Sequence, residues 1–157
     1  MDRKHRPEVA TTADLLGLVG TNLGWSEPFA LSQNEISVFA RLTRDEQWIH
    51  LDPDRARADG PYGGTVAHGF LVLDHAPWVL RQLLNLDAVR FGVNYGLNRT
   101  RFPSPVRTDT ELRGTARIDS VQEVGDGVSR VAVAYEFRSA DSTKPHCVAE
   151  MLHQFSF

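Results

Sequence analysis

The chain has a single cysteine, Cys147, among its 157 residues. That excludes an internal disulfide framework and a zinc site built on cysteines, and the residue reads as a small buried hydrophobe. A surplus of positive charge is also missing: 17 Lys and Arg stand against 20 Asp and Glu, for a net charge of -3 and a pI near 6.0. Nucleic acid and anionic membrane are therefore not expected partners. No run approaches the ~18 apolar residues of a membrane-spanning helix. Arg3, Lys4, His5 and Arg6 are not followed by the apolar stretch of a secretory signal. Internal repeats and low-complexity linkers are absent. What is present is a 41% hydrophobic content, enough to bury a core. The expectation is one soluble domain over residues 13–157, behind a flexible N-terminus over 1–12, in a reducing, cytoplasmic compartment.

The front half reads as helices and the back half as strands. Residues from Thr12 start a short helix ending at Gly17 or Gly20, and Trp25 to Leu31 reads as a short strand. Ser32 followed by Glu35 is a capping box, after which Ile36, Phe39 and Ala40 recur at helical spacing to about Leu42. Asp52-Pro53 supplies an N-cap and a first-turn proline for a helix over Asp54–Ala58. Gly60, Pro61, Gly63 and Gly64 form a tight loop. Residues from about 68 to 84 are apolar nearly all round, so this helix is expected to be buried. Asp74, His75 and Pro77 interrupt it, which predicts a polar face and a kink near Pro77. Runs 88–102, 109–123, 128–140 and 145–157 read as strands, with Val131, Val133, Tyr135 and Phe137 alternating and Val124-Gly125-Asp126-Gly127 as a hairpin turn. An antiparallel sheet curled around one central helix accounts for both halves, an α+β hot-dog layout.

The most informative segment is Asp45-Glu46-Gln47-Trp48-Ile49-His50-Leu51-Asp52-Pro53. An Asp and a His five apart do not face each other on a straight helix, whereas on a loop between helices they are free to converge. A carboxylate and an imidazole meeting on one water can remove its proton and return one, and imidazole titrates near neutrality as that task requires. Two further segments bear on this. Gly63-Gly64-Thr65-Val66-Ala67-His68-Gly69 leads into the central helix, whose unpaired N–H groups are placed to hold a negative oxygen, with Gly69 permitting close approach of a carbonyl. The His68 side chain itself reads as a helix cap. Asn94 to Val106 ends in Arg101-Phe102-Pro103-Ser104-Pro105-Val106, a strand followed by an extended loop.

Together, Asp45-x-x-x-x-His50-Leu51-Asp52, Ala67-His68-Gly69 and Arg101-Phe102-Pro103 resemble the MaoC-like, (R)-specific enoyl-thioester hydratase family, over about residues 20–157. The likeness is greatest to the bacterial single-domain branch that carries Gln-Trp-Ile-His, here Gln47 to His50. The resemblance implies that Asp45 and His50 hold a water that adds to C3 of a trans-2-enoyl thioester while a proton reaches C2, or the reverse dehydration. It also implies that the Gly69 N–H meets the thioester oxygen. Thr65, His68, Gly69, Asn94 and Tyr95 are the candidate substrate-binding residues. No metal and no separate cofactor are implied, since coenzyme A or acyl carrier protein is part of the substrate. A homodimer is expected.

Three residues depart from the family pattern. Arg44 stands where glycine is common, placing a cation beside Asp45 that would favour its ionised form if the side chains approach. Pro77 replaces a small hydroxyl residue of some members. Asp74 and His75 are unusual in a buried helix and sit either at an interface, satisfied by a partner, or in an altered pocket. Arg99 and Arg101 read as solvated or paired strand-end charges, with contact to coenzyme A phosphates as the alternative, His146 and His153 as polar strand positions, and Trp48 as the anchor of its loop. Two other functions fit the same fold. A hot-dog thioesterase would use a carboxylate on or near the central helix, making Asp74 the residue to watch, and a non-catalytic subunit would have no need of Asp45 and His50.

Overall fold

The computed structural model describes residues 6–125 and 127–157; Met1–His5 and Asp126 of the hairpin turn lie outside the described residues. Six helices and five strands follow in the order α1 (Thr12–Gly17), β1 (Asn22–Trp25), α2 (Gln33–Thr43), α3 (Trp48–Leu51), α4 (Pro53–Ala58), α5 (Gly69–Leu73), α6 (Ala76–Leu83), β2 (Phe91–Arg101), β3 (Arg113–Gly125), β4 (Val128–Arg138) and β5 (Cys147–Ser156) among the described residues. The first strand lies earlier than expected, because pairing decides it: Asn22 meets Arg117 and Trp25 meets Thr115, while beyond it Phe29 makes only an isolated bridge to Leu112. Within the 1–12 segment expected to be flexible, Pro7–Val9 are held in place: Val9 donates to the Asn85 carbonyl at 2.9 Å and Asn85 donates back to Pro7, leaving Val9 fully buried.

Local signals set the helix starts. Thr11 and Asp14 form a capping box for α1, and Ser32 and Glu35 form another for α2. Asp52 accepts from the Arg55 N–H at the start of α4, with Pro53 in its first turn.

The five strands form one antiparallel sheet in the order β1-β3-β4-β5-β2. Alternate residues of β4 and β5 (Val131, Val133, Tyr135, Phe137; Cys147, Ala149, Met151, Phe155) face inward and are buried. Against that face lie Val72, Ala76, Val79, Leu80 and Leu83, so the core sits between sheet and central helix, as the hot-dog layout requires.

The central helix is two helices. Pro77, in the first turn of α6, has no N–H to continue the ladder, and the chain turns at Asp74 and His75. His75 Nδ1 donates to the Leu71 carbonyl at 2.9 Å, and its ring stacks on Phe29 at 4.7 Å, so this residue is satisfied within its own chain. Nor is the segment buried all round: Phe70 is 65% and Trp78 37% exposed. His153, expected as a polar strand position, points into the core, where Tyr135 donates its hydroxyl to Nε2 at 2.9 Å. Burial pushes the His153 imidazole down to about 4 and the Tyr135 hydroxyl above its ordinary range.

Candidate active site

The segment between α2 and α4 carries the two candidate catalytic residues. Arg44 closes α2 in the left-handed region, at φ 65° and ψ 17°, a conformation that glycine enters without steric cost and arginine does not. This turn swings Asp45 out of the helix and sends the chain into α3. Arg44 forms no ion pair with Asp45 among the described residues. His50 sits on α3, a single turn, and not on the free loop expected. Trp48 begins that turn half-buried, with the Arg55 guanidinium 4.4 Å above its ring.

His50 is 7% exposed and held at both ends. Its Nδ1 lies 2.7 Å from the Val66 carbonyl oxygen, which makes Nδ1 the donor and leaves the lone pair on Nε2. Its own carbonyl accepts from Gln33 Nε2 at 2.7 Å, and Gln33 Oε1 in turn accepts from the Thr65 hydroxyl at 2.6 Å. Thr65 also meets Thr108 at 2.8 Å. Gln33 is thus a supporting residue that sequence reasoning missed. One position past an N-cap, it carries no mark of its contact with α3. Burial holds the His50 imidazole below its ordinary value, with the charge of neighbouring His68 acting the same way; the bond to Val66 and the Asp45 carboxylate oppose them.

Asp45 is exposed, with Gln47 Nε2 donating to Oδ1 at 3.3 Å. His68, at the start of α5, is 3% exposed and does not cap the helix with its side chain. Instead Nε2 donates to the Asp45 carbonyl at 2.9 Å, and the ring stacks on His50 with centroids 3.7 Å apart. Asp45, His50 and His68 each place one ligand-capable atom within 4.8 Å of the others. The structure therefore brings together the two expected catalytic residues and one expected substrate-binding residue.

The remaining candidates fall around this centre. Gly69 opens α5, and its N–H has no carbonyl one turn back to bond. The space a side chain at 69 would take is filled by the Phe102 ring, whose atoms lie 2.7–2.9 Å from where a Cβ would stand. Glycine at 69 thus admits the Phe of the Arg-Phe-Pro segment. Asn94 lines a cleft of about 420 Å³ with Phe39, Phe70, Leu73, Asp74 and Met151 among its walls. Phe39 also meets His68 at 5.1 Å, so the apolar cleft adjoins the polar cluster. Tyr95 does not line the cleft; its ring lies under the Arg130 guanidinium at 4.3 Å. Thr65 stands behind His50, bonded to protein. Arg101 donates to the carbonyl of Thr100.

A carboxylate and an imidazole lone pair side by side offer two acceptors to the two O–H bonds of one water. A base so placed can take a proton from that water and deliver it elsewhere. Beside them, an apolar cleft can hold a hydrocarbon chain.

Comparison with known proteins identifies the family and the fold. The sequence model of the family described as "MaoC like domain" matches residues 8–140. A 3-hydroxyacyl-thioester dehydratase Z of Mycobacterium tuberculosis is 39% identical over 145 residues, covering 92% of this chain and 95% of that one. Among solved structures, the unliganded R-hydratase PhaJ1 of Pseudomonas aeruginosa superposes with a TM-score of 0.69 at 18% identity, covering 94% of this chain and 86% of that chain. The C-terminally truncated HadBC (3R-hydroxyacyl-ACP dehydratase) complex of Mycobacterium tuberculosis gives a TM-score of 0.65 at 20% identity, covering 83% and 94%. At these identities the structural likeness speaks for the fold.

Proposed function

The chain belongs to the MaoC-like domain family and is a hydro-lyase of the 3-hydroxyacyl-thioester dehydratase type, and from that premise we propose that Asp45 and His50 are the pair that handles its water. The observation that carries this reading is the fixed tautomer of His50. With Nδ1–H committed to the Val66 carbonyl the lone pair is left on Nε2, and a ring nitrogen of His50 lies within 4.8 Å of an Asp45 carboxylate oxygen. In hydration the water oxygen bonds to C3 of a trans-2-enoyl thioester as one of its protons passes to the pair. The electron pair released toward the thioester oxygen, near the Gly69 N–H, then takes that proton at C2. The product is a 3-hydroxyacyl thioester of (R) configuration, and both hydrogens of the water are accounted for. Dehydration runs the same steps backward.

The cleft beside Phe39 would take the acyl chain, with Asn94 on its wall. The acyl carrier, coenzyme A or acyl carrier protein, belongs to the substrate. No separate cofactor and no metal enter this reading. The three ligand-capable atoms of Asp45, His50 and His68 all lie within 4.8 Å of one another, and in this reading they serve the water. Among the described residues no helix is long and apolar enough to cross a membrane. Cys147 is buried, its thiol pushed up to about 12, and a reducing cytoplasmic setting is part of the proposal.

The assembly proposed is a homodimer. Edge strand β2 carries exposed Phe91, Val93, Tyr95 and Leu97, and Phe70 stands beside it. Antiparallel pairing of two β2 strands about Gly96 sets Arg99 and Arg101 against Val93 and Phe91, so no like charges meet. Sedimentation of the purified chain at twice its 17.5 kDa mass supports this, and a persistent monomer contradicts it.

The reaction is tested by incubating the protein with crotonyl-coenzyme A and following enone absorbance and free thiol together. Loss of enone without thiol is expected. Thiol release would favour a thioesterase, with Asp74, exposed on the cleft wall, as its carboxylate.

A further inference from the structure

His68 is the least expected member of the site. Its Nδ1 is buried and has no hydrogen-bond partner among the described residues. An unpartnered buried nitrogen is unfavourable, and an apolar ring of similar size would fill the same space without that penalty. The compensating interactions lie on the opposite edge and on the ring faces. Nε2–H reaches the main chain of Asp45, 23 residues earlier, and the ring faces meet His50 and Phe39. The strand of chain that carries the carboxylate has little else to hold it. Residues 44–47 are exposed and belong to neither α2 nor α3, apart from the capping role of Arg44 and Gln47. Among the described residues no other side chain from outside this segment bonds to it.

We propose that His68 is a positioning residue: it ties the Asp45 main chain to the start of α5 and stacks on His50, keeping carboxylate and imidazole on one water. This rests on the reading of Asp45 and His50 as the water-handling pair. It gives the His of Ala67-His68-Gly69 a task distinct from that of the Gly69 N–H next to it. Among the described residues, the ionisable groups bearing on His50 are His68, from α5, and Asp45, from the α2–α3 segment; Gln33 and Val66, which bond to His50, and Phe39, which meets His68, carry no charge.

Three substitutions in the full chain separate the roles. His68→Gln keeps an N–H donor at about the reach of Nε2, His68→Asn keeps the amide but falls short, and His68→Leu removes it. Misplacing a catalytic group by about 1 Å costs on the order of 100-fold. His68→Leu and His68→Asn are expected to lower kcat for crotonyl-coenzyme A by about 10- to 100-fold, with KM changed less than about 3-fold. His68→Gln should restore most of kcat, and in an Asp45→Ala background His68→Leu should cause little further loss, since the group it positions is gone. Wild-type kcat in His68→Leu or His68→Asn, Gln no better than the other two, or full additivity with Asp45→Ala would overturn the proposal. If Leu does not fold, the Gln and Asn comparison decides. Unchanged activity in Asp45→Ala and His50→Ala would instead remove the reading of the pair itself.

Discussion

Arg44 is the place where backbone and side chain disagree most plainly, and replacing it tests whether the turn before Asp45 is built for glycine. At φ 65° and ψ 17° the Cβ of any L residue crowds the following carbonyl, at about 1–2 kcal/mol. Arg44→Gly removes that crowding but gives the unfolded chain more freedom, at about 0.4–1 kcal/mol. It also removes a cation from the C-terminal end of α2, where a positive charge contributes about 0.3–1 kcal/mol. Arg44→Ala loses the same cation and keeps the crowding. The informative quantity is therefore the difference between the two variants, roughly 1 kcal/mol in favour of Gly. For a chain of this size that is about 2–4 °C in Tm. Thermal unfolding of wild type, Arg44→Ala and Arg44→Gly at equal protein concentration measures it. If Ala and Gly melt together, the left-handed turn is not strained, and the explanation for this departure from the family pattern is wrong.

Other consequences follow from burial and close contact. His153 titrates near 4 in the folded chain against 6.5 ordinarily, so the folded state binds its proton later than the unfolded state. Its contribution, about 3 kcal/mol, is present above pH 6.5 and is lost as pH falls toward 4. Denaturant unfolding at pH 7.5 and 4.5 should show that drop in wild type and a smaller one in His153→Gln, and equal drops would count against it. Gly114→Ala places a Cβ 2.5 Å from a Val79 methyl and 3.2 Å from the Phe137 ring, both fully buried. Overpacking should destabilise that variant by about 1–3 kcal/mol, and an unchanged Tm would refute the tight contact of α6 with β3. Because burial holds His50 low, its lone pair persists below the ordinary imidazole value. The acid limb of kcat/KM should therefore have its midpoint below 6.5, and a midpoint above that value would place the wrong group in the role.

Much of the fold was legible because its signals are local. Ser32 with Glu35 and Asp52 with Pro53 mark helix starts through contacts within four residues, and the alternation from Val131 to Phe137 marks a strand with one buried face. What could not be read depends on partners far along the chain. β1 is placed by Arg117 and Thr115, not by the residues after Trp25. The one-turn helix α3 is too short to show a period. His68 looked like a cap because a cap is local, whereas its bond to Asp45 exists only once α5 docks against the segment after α2. Gln33 was invisible for the same reason. Arg44 hid a left-handed turn that glycine would have announced. The Asp45 and His50 pair was legible from spacing together with the neighbouring segments, while the tautomer that makes His50 an acceptor needed the Val66 carbonyl to be seen.

The central claim is that Asp45 and His50 act on one water. Its most direct measurement is the crotonyl-coenzyme A hydration rate of Asp45→Ala and His50→Ala, each shown to melt as a folded protein. A fall of at least about 100-fold in both is predicted, the lower end for loss of an acid–base group. A near-wild-type rate in either folded variant would contradict it.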